Sequence, residues 1–356
     1  MLKGFLSGSS LAISLSAIAL TSLGILIIFS VDPSLALEQL IFAAIGVLIF
    51  ILVGNFDYRV LSSFTFYLLL ISVILLLSLF LIGLEVRGAT RWFDLGFFRF
   101  QPSELIKPFL IIILATVLSK KGTNRFSGFF LSLLVSIFFA ILIFKQPDLG
   151  NAIVFLAIWL GMVIASSSNF IYLALTIFAG FFAVPFVWFH MVQYQKERLL
   201  TFLNPSGDPL GTGYNIAQAT IAIGSGTLLG KGFGHGTQSH LKFLPAQTTD
   251  FVFATFAEEL GFLGVAILLS ISIFLIYRCL RAAQKTTDLL GSLIIIGVVT
   301  LILFQTVINV AMNLGLVPVV GITLPFISEG GSSLISTFFS LGLVVSVIRF
   351  SPKTLT

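Results

Sequence analysis

The chain has 356 residues, of which 58% are hydrophobic and only 9% charged. Soluble globular proteins carry about 25% charged residues; a length that would suit two soluble domains is overruled by apolar runs too long and too charge-free to be core helices. The formal net charge of +5 does not argue for nucleic acid, because the basic residues come in ones, twos and threes between apolar runs and read as topology signals, and the single cysteine, Cys279, excludes an intramolecular disulfide.

In chain order, the apolar runs predict ten spans: 11–29, 37–53, 60–84, 102–118, 126–144, 149–165, 170–192, 251–277, 289–316 and 334–348. Several are short, so tilt or local thinning of the bilayer is expected. The first run follows Lys3 and resembles a signal peptide, but it is long and many spans follow, so an uncleaved first span is expected. The fold class is therefore all-α: a polytopic integral membrane protein of about ten transmembrane helices, forming one domain over 1–356. A long loop (193–250) separates the seventh and eighth spans, and a broken stretch (317–333) precedes the tenth. The 39 phenylalanines suit lipid-facing helix surfaces.

The 19 basic residues divide almost evenly between the two sets of loops. Their company differs. The set holding the N-terminus has short basic loops, with Arg59, Lys120, Lys121, Arg125, Arg278, Arg281, Lys285 and Arg349, and only Asp57 and Asp288 as acids. The other set mixes Arg87, Arg91, Arg99, Lys107, Lys145, Lys196, Arg198, Lys231 and Lys242 with the remaining acids. Short basic loops weigh most in the positive-inside rule, so both termini are expected in the cytoplasm and the mixed-charge loops outside. Topology does not favour so many outer cations, which points to a substrate or partner at the outer surface.

Four outward segments hold the unusual residues. In RGATRWFDLGFFRFQPSELIK (87–107), three arginines lie among Trp and Phe, and Pro102 then starts a helix on which Glu104 and Lys107 share a face. These residues read either as an anion-binding face with a buried ion pair, since ionisable groups within a span usually face the protein interior, or as interfacial anchors. In KQPDLG (145–150), Asp148 reads as the cap of the next helix after a tight turn. The glycine-rich GSGTLLGKGFGHG (224–236) is not a phosphate loop: Ser225 stands where the first glycine is needed and Gly232 where Ser or Thr is needed. Its glycines suit close backbone packing at the membrane surface. At the end of that long loop, Asp250 reads in two competing ways, as the N-cap of the eighth span or as a general base at the mouth of a cavity. Glu258 and Glu259 follow, about 100° apart on a helix, so both face one cavity only if the helix is irregular. In NLGLVPVVGITLPFISEGGSS (313–333), prolines and glycines break an apolar run, which suggests a re-entrant loop lining a cavity. His190, His235 and His240 have no metal-site spacing, although an Mg²⁺ site needs only one or two carboxylates plus substrate phosphate.

Together these segments, with NPSGDPLGTGYNIAQATIAIGSG (204–226) and GTQSHLKFLPAQTTDFVFATFAEELGFLG (236–264), resemble the SEDS family of bacterial cell-wall proteins over nearly the whole chain. GTQSHLKFLP and IAIGSG resemble the elongation (RodA) type more than the division (FtsW) type. Two positions depart from the family pattern: Glu329, often Tyr, and Asn151, often Thr. The resemblance implies a peptidoglycan glycosyltransferase in the bacterial inner membrane. It would polymerise lipid II at the outer face, with the growing chain as donor and undecaprenyl diphosphate as leaving group. Asp250 takes the catalytic position, and Arg91, Arg99, Glu104, Lys107, Lys145, Asp148, Gln238 and His240 the substrate-binding ones. A divalent cation (Mg²⁺ or Mn²⁺), a single-helix class B penicillin-binding protein and the elongation machinery are the implied companions. The rival readings are a flippase of lipid-linked precursor, which broken helices and intramembrane charges would also suit, the division-type polymerase, and a structural scaffold.

Overall fold

The computed structural model describes residues 8–86, 89–94, 96, 98–121, 126–166, 170–204, 211–241 and 243–351; Arg87, Lys242 and Asp208 lie outside them. The helices are α1 (Gly8–Val31), α2 (Pro33–Asn55), α3 (Tyr58–Ser63), α4 (Thr65–Ile82), α5 (Pro102–Lys121), α6 (Phe126–Phe144), α7 (Leu149–Ala165), α8 (Phe170–His190), α9 (Gln193–Leu203), α10 (Thr212–Ser225), α11 (Thr237–His240), α12 (Val252–Lys285), α13 (Leu289–Asn313) and α14 (Gly331–Phe350). Among the described residues, nine of these are long and apolar enough to cross a membrane, and the 17-residue α7 makes the tenth apolar helix. The predicted spans are thus recovered with shifted ends. The third divides into α3 and α4 at Phe64, and the ninth stops at Asn313, where Gly315 turns to φ +69°.

Burial separates centre from rim. The apolar windows of α5 and α14 are 78% buried and that of α13 is 61% buried, whereas α8 buries none of its own. A helix that is apolar all round yet bare on every side has lipid as its natural surroundings. The central helices carry the core, with Leu110, Ile111, Ile294, Val298, Leu341 and Val344 all fully buried.

One element departs from the helical expectation. Strands β1 (Leu84–Val86), β2 (Ala89–Asp94) and β3 (Arg99–Phe100) form a small antiparallel sheet in the order β1-β2-β3, with Leu84 opposite Trp92 and Phe93 opposite Phe100. The cross-strand aromatic pair, with rings 6.5 Å apart, supports the pairing. This sheet carries Arg91 across to α7 and α9. α5 is the second structural carrier of charge. Pro108 lacks the N–H that would bond the Glu104 carbonyl in a regular helix, and Ser336 Oγ of α14 donates to that carbonyl instead, at 2.6 Å.

Candidate functional site

Asp250 ends a turn before α12. Phe251 takes the N-cap position and makes no side-chain cap bond, so Asp250 stands one residue before it. Its backbone carbonyl accepts from Asn309 Nδ2 (3.3 Å) and Asn313 Nδ2 (3.0 Å), and Asn313 Oδ1 accepts from the Ala254 N–H at 3.1 Å. Asn309 Nδ2 also donates to Ile322 O at 2.7 Å, joining the Asp250 turn to the irregular segment 314–330. Ser328 Oγ donating to Thr249 O (2.7 Å) and the Glu329 N–H donating to Thr248 O (2.8 Å) complete that seam.

The Asp250 carboxylate looks across a gap at Gly321. A Cβ built there would lie 3.7 and 4.0 Å from the two carboxylate oxygens and 3.8 Å from Arg198 Nη1. Gly321 has φ +70°, a left-handed conformation that glycine tolerates. Carboxylate and guanidinium therefore both lie beside the same point of the irregular segment. Arg198 sits on α9, donates to Val319 O at 3.2 Å and lies 5.6 Å from the Tyr194 ring centroid. It lines a small, half-open cleft with Arg91, Tyr194 and residues 318–320. Arg91 donates to Pro147 O and to the Tyr194 hydroxyl, and lies 3.9 Å from Asp148 Oδ1. Burial pushes the Tyr194 phenol above its ordinary pKa, outweighing the opposing effect of Arg91 and Arg198, so it stays a hydrogen-bond donor at neutral pH.

Asp148 does what its spacing predicts. It caps α7 through the Asn151 N–H (3.2 Å) and also accepts from Asn151 Nδ2 (2.9 Å) and Gln101 Nε2 (3.1 Å). The Asn at 151 thus supplies a second donor to the same carboxylate. Glu104 and Lys107 form the predicted pair, 2.5 Å apart and both buried. The structure does not bring every expected residue to the cleft. Arg99 on β3 and Lys145 in the turn after α6 are exposed and do not line it. Gln238 and His240 turn instead toward α12: the Gln238 N–H donates to Glu258 Oε1 (2.9 Å), and His240 Nε2 meets Glu259 Oε1 (3.0 Å). Both glutamates are fully buried; they reach one segment because residues 231–240 fold around this end of the half-helix, which breaks just beyond them at Gly261. Arg198, Asn309 and Asn313 are the site residues that sequence reasoning missed. For Arg198 the surplus of outer cations was a signal; for the asparagines, an i,i+4 amide pair within an apolar span was one.

Glu329, the departure from the family pattern, accepts from Thr248 Oγ1 at 2.5 Å. Burial raises its pKa above the usual carboxylate range; the Thr248 bond opposes this, and Glu38 and Asp32 add to it. A carboxyl whose folded pKa is raised favours the folded state while protonated. Its contribution is full below the unfolded pKa and is lost as pH rises through the folded pKa. Glu329→Gln is therefore expected to leave thermal stability near pH 4 little changed and to raise it progressively above that. Melting curves in detergent at several pH values check this, and a mutant advantage that shrinks with rising pH would contradict it.

Known proteins match this geometry. The profile of a family described as cell cycle protein (FtsW, RodA, SpoVE) covers residues 6–353. The peptidoglycan glycosyltransferase MrdB of Escherichia coli K12 is 38% identical over 310 residues, 85% of this chain and 83% of that protein. Stage V sporulation protein E of Bacillus subtilis is 36% identical over 324 residues, 89% and 87% of the two chains. Among solved structures, a chain of a peptidoglycan synthase complex that coordinates polymerization and crosslinking superposes with TM-score 0.82 at 33% identity, covering 95% of this chain and 96% of that one. The rod shape determining protein RodA of Thermus thermophilus superposes at 0.72 with 30% identity, covering 96% and 97%. With a profile match spanning nearly all its residues, the chain belongs to the FtsW–RodA–SpoVE family, the SEDS proteins.

Proposed function

We propose that the chain is a peptidoglycan glycosyltransferase that polymerises lipid II into glycan strands, with Asp250 as general base. The observation that carries this reading is the convergence of the Asp250 carboxylate and the Arg198 guanidinium beside Gly321, next to a cleft lined by Arg91 and Tyr194. The acceptor sugar hydroxyl gives its proton to Asp250 as its oxygen bonds to C1 of the donor sugar. The C1–oxygen bond to the diphosphate breaks with inversion, and undecaprenyl diphosphate leaves with its charge met by Arg198 and Arg91. Glu104–Lys107 and Asp148 hold the scaffold behind these groups, Arg99 and Lys145 belong to the wider substrate path, and Gln238 and His240 serve the contacts with α12. A divalent cation, Mg²⁺ or Mn²⁺, would enter with the diphosphate. Among the described residues no three His, Cys, Asp or Glu side chains gather to hold an ion, so phosphate and water oxygens would form most of its shell. It would supply further positive charge at the leaving group.

The lipid tail confines the reaction to the membrane interface. In the orientation set by the short basic loops, that is the outer face of the bacterial cytoplasmic membrane, with 193–250 outside and both termini inside. Similarity to a synthase-complex chain and the elongation-type motifs support action in cell elongation beside a class B penicillin-binding protein that crosslinks the strands. The test is polymerisation of purified lipid II in detergent, read on a gel, with and without Mg²⁺ or Mn²⁺, for the chain and its Asp250→Asn variant. A flippase needs two compartments and makes no product there. In the same assay Arg198→Ala is expected to slow polymerisation about tenfold. Loss of a buried charge-stabilising donor typically costs about 10²–10³, and partial exposure of Arg198 screens its charge. A wild-type rate for Arg198→Ala would remove this residue from the mechanism.

A further inference from the structure

α12 is two helices joined at Gly261, whose φ of 62° and ψ of −165° interrupt the hydrogen-bond ladder. Such a break orphans carbonyls before it and N–H groups after it, and inside a membrane each orphan is expensive. The glycine-rich segment satisfies both sets. The N–H groups of Lys231 and Gly232 donate to the carbonyls of Glu258 and Glu259, both at 3.0 Å. The N–H groups of Phe262 and Leu263 donate to the carbonyls of Thr227 (3.0 Å) and Leu228 (3.1 Å). The crossing leaves no room for side chains: a Cβ at Gly230, where φ is +82°, would stand 2.0 Å from the Glu259 carbonyl oxygen.

Two carboxylates then lock the segment down. Glu258, fully buried, accepts from Lys231 Nζ (2.8 Å), Thr237 Oγ1 (3.1 Å), the N–H groups of Gln238 (2.9 Å) and Ser239 (3.2 Å), and Ser239 Oγ (3.1 Å). Glu259 accepts from the Gly234 N–H (3.1 Å) and from Ser30 Oγ of α1 (2.8 Å), and meets His240. The short helix 252–260 is thus pinned at its last turn by 226–240 and at its first turn by Asn309 and Asn313, beside Asp250.

We propose that residues 226–240 are a brace that positions Asp250 for proton removal, with Lys231 and Glu258 as its positioning residues. The proposal rests on the reading of Asp250 as the general base. Without the brace, the half-helix is held only at its first turn, and it shifts about Gly261 with the carboxylate beside it. Arg198 and Arg91 sit on α9 and β2, outside the braced helix, so substrate binding is spared. The effect falls on the chemical step, where a displacement of about 1 Å can cost about 10²-fold.

The experiment uses the full chain in detergent and compares Lys231→Met, Lys231→Arg and Gly230→Ala with wild type, Asp250→Asn running alongside. Lys231→Met and Gly230→Ala are expected to lower kcat at least about tenfold with KM for lipid II within about twofold. Lys231→Arg, which keeps the charge, restores most of the rate. In Lys231→Met and Gly230→Ala the amides of Phe262 and Leu263 exchange hydrogen faster than in wild type. Retained kcat in Lys231→Met beside an inactive Asp250→Asn overturns the brace, as does a rise in KM at unchanged kcat. An active Asp250→Asn overturns the reading of Asp250 instead, and the two failures are told apart by which variant keeps its rate.

Discussion

Asp250→Asn is expected to abolish lipid II polymerisation to within assay background, a loss of about 10²–10⁴-fold, which is the usual worth of a positioned general base. The amide keeps the size of the carboxylate but cannot take the acceptor's proton. The fold should survive. The backbone carbonyl of Asp250, which Asn309 and Asn313 hold, is unchanged by the substitution, and Phe251 rather than Asp250 occupies the N-cap of α12. Binding of lipid II should survive as well, because the guanidinium-lined cleft lies on α9 and β2. Three measurements on one preparation decide the matter: a melting curve, lipid II binding, and glycan product on a gel. Strands of normal length and yield from the variant would sink the assignment.

Lys107→Met is expected to be the most damaging single change to stability, costing about 3–5 kcal/mol, the typical effect of stripping one partner from a buried ion pair. Lys107 is 1% exposed, and its Nζ sits 2.5 Å from Glu104 Oε1. Removing it leaves a carboxylate buried on the central helix α5 without its cation. The double variant Glu104→Gln/Lys107→Met should recover most of the loss, since a buried pair replaced by neutral groups of similar volume is often nearly neutral. Comparing the two single variants with the double one in detergent melts isolates the pair's coupling. A double variant no more stable than Lys107→Met would show that the lysine acts through packing. Activity separates structure from chemistry: a stable double variant that polymerises makes the pair a scaffold, and one that does not gives it a part in the reaction.

The sequence by itself determined the spans, because some 20 apolar residues in a row have no other stable home than a bilayer-crossing helix. It also determined the local devices that depend only on neighbours in the chain. Asp148 caps α7 as its spacing predicts, Glu104 and Lys107 meet across one helical turn, and the prolines and glycines of 313–333 interrupt the helix near where they stand. Only the tertiary structure brings the candidate site together. Spacing left Asp250 poised between cap and base; the structure puts Phe251 at the N-cap of α12 and holds the Asp250 carbonyl from α13. Arg198 reads in sequence as one more outer cation. It gains meaning because α9 brings it beside Gly321, where the Asp250 carboxylate also lies. The strands β1–β3 are too short to show a period among aromatic residues. The glycine tract 224–236 showed only that backbone packs closely somewhere. That it splices a broken helix depends on carbonyls and N–H groups 27 or more residues onward, a backbone-to-backbone pairing with no side-chain signature. Hydrophobicity and helical spacing act along the chain and can be read there, whereas the candidate site is a coincidence of distant segments that only packing brings about.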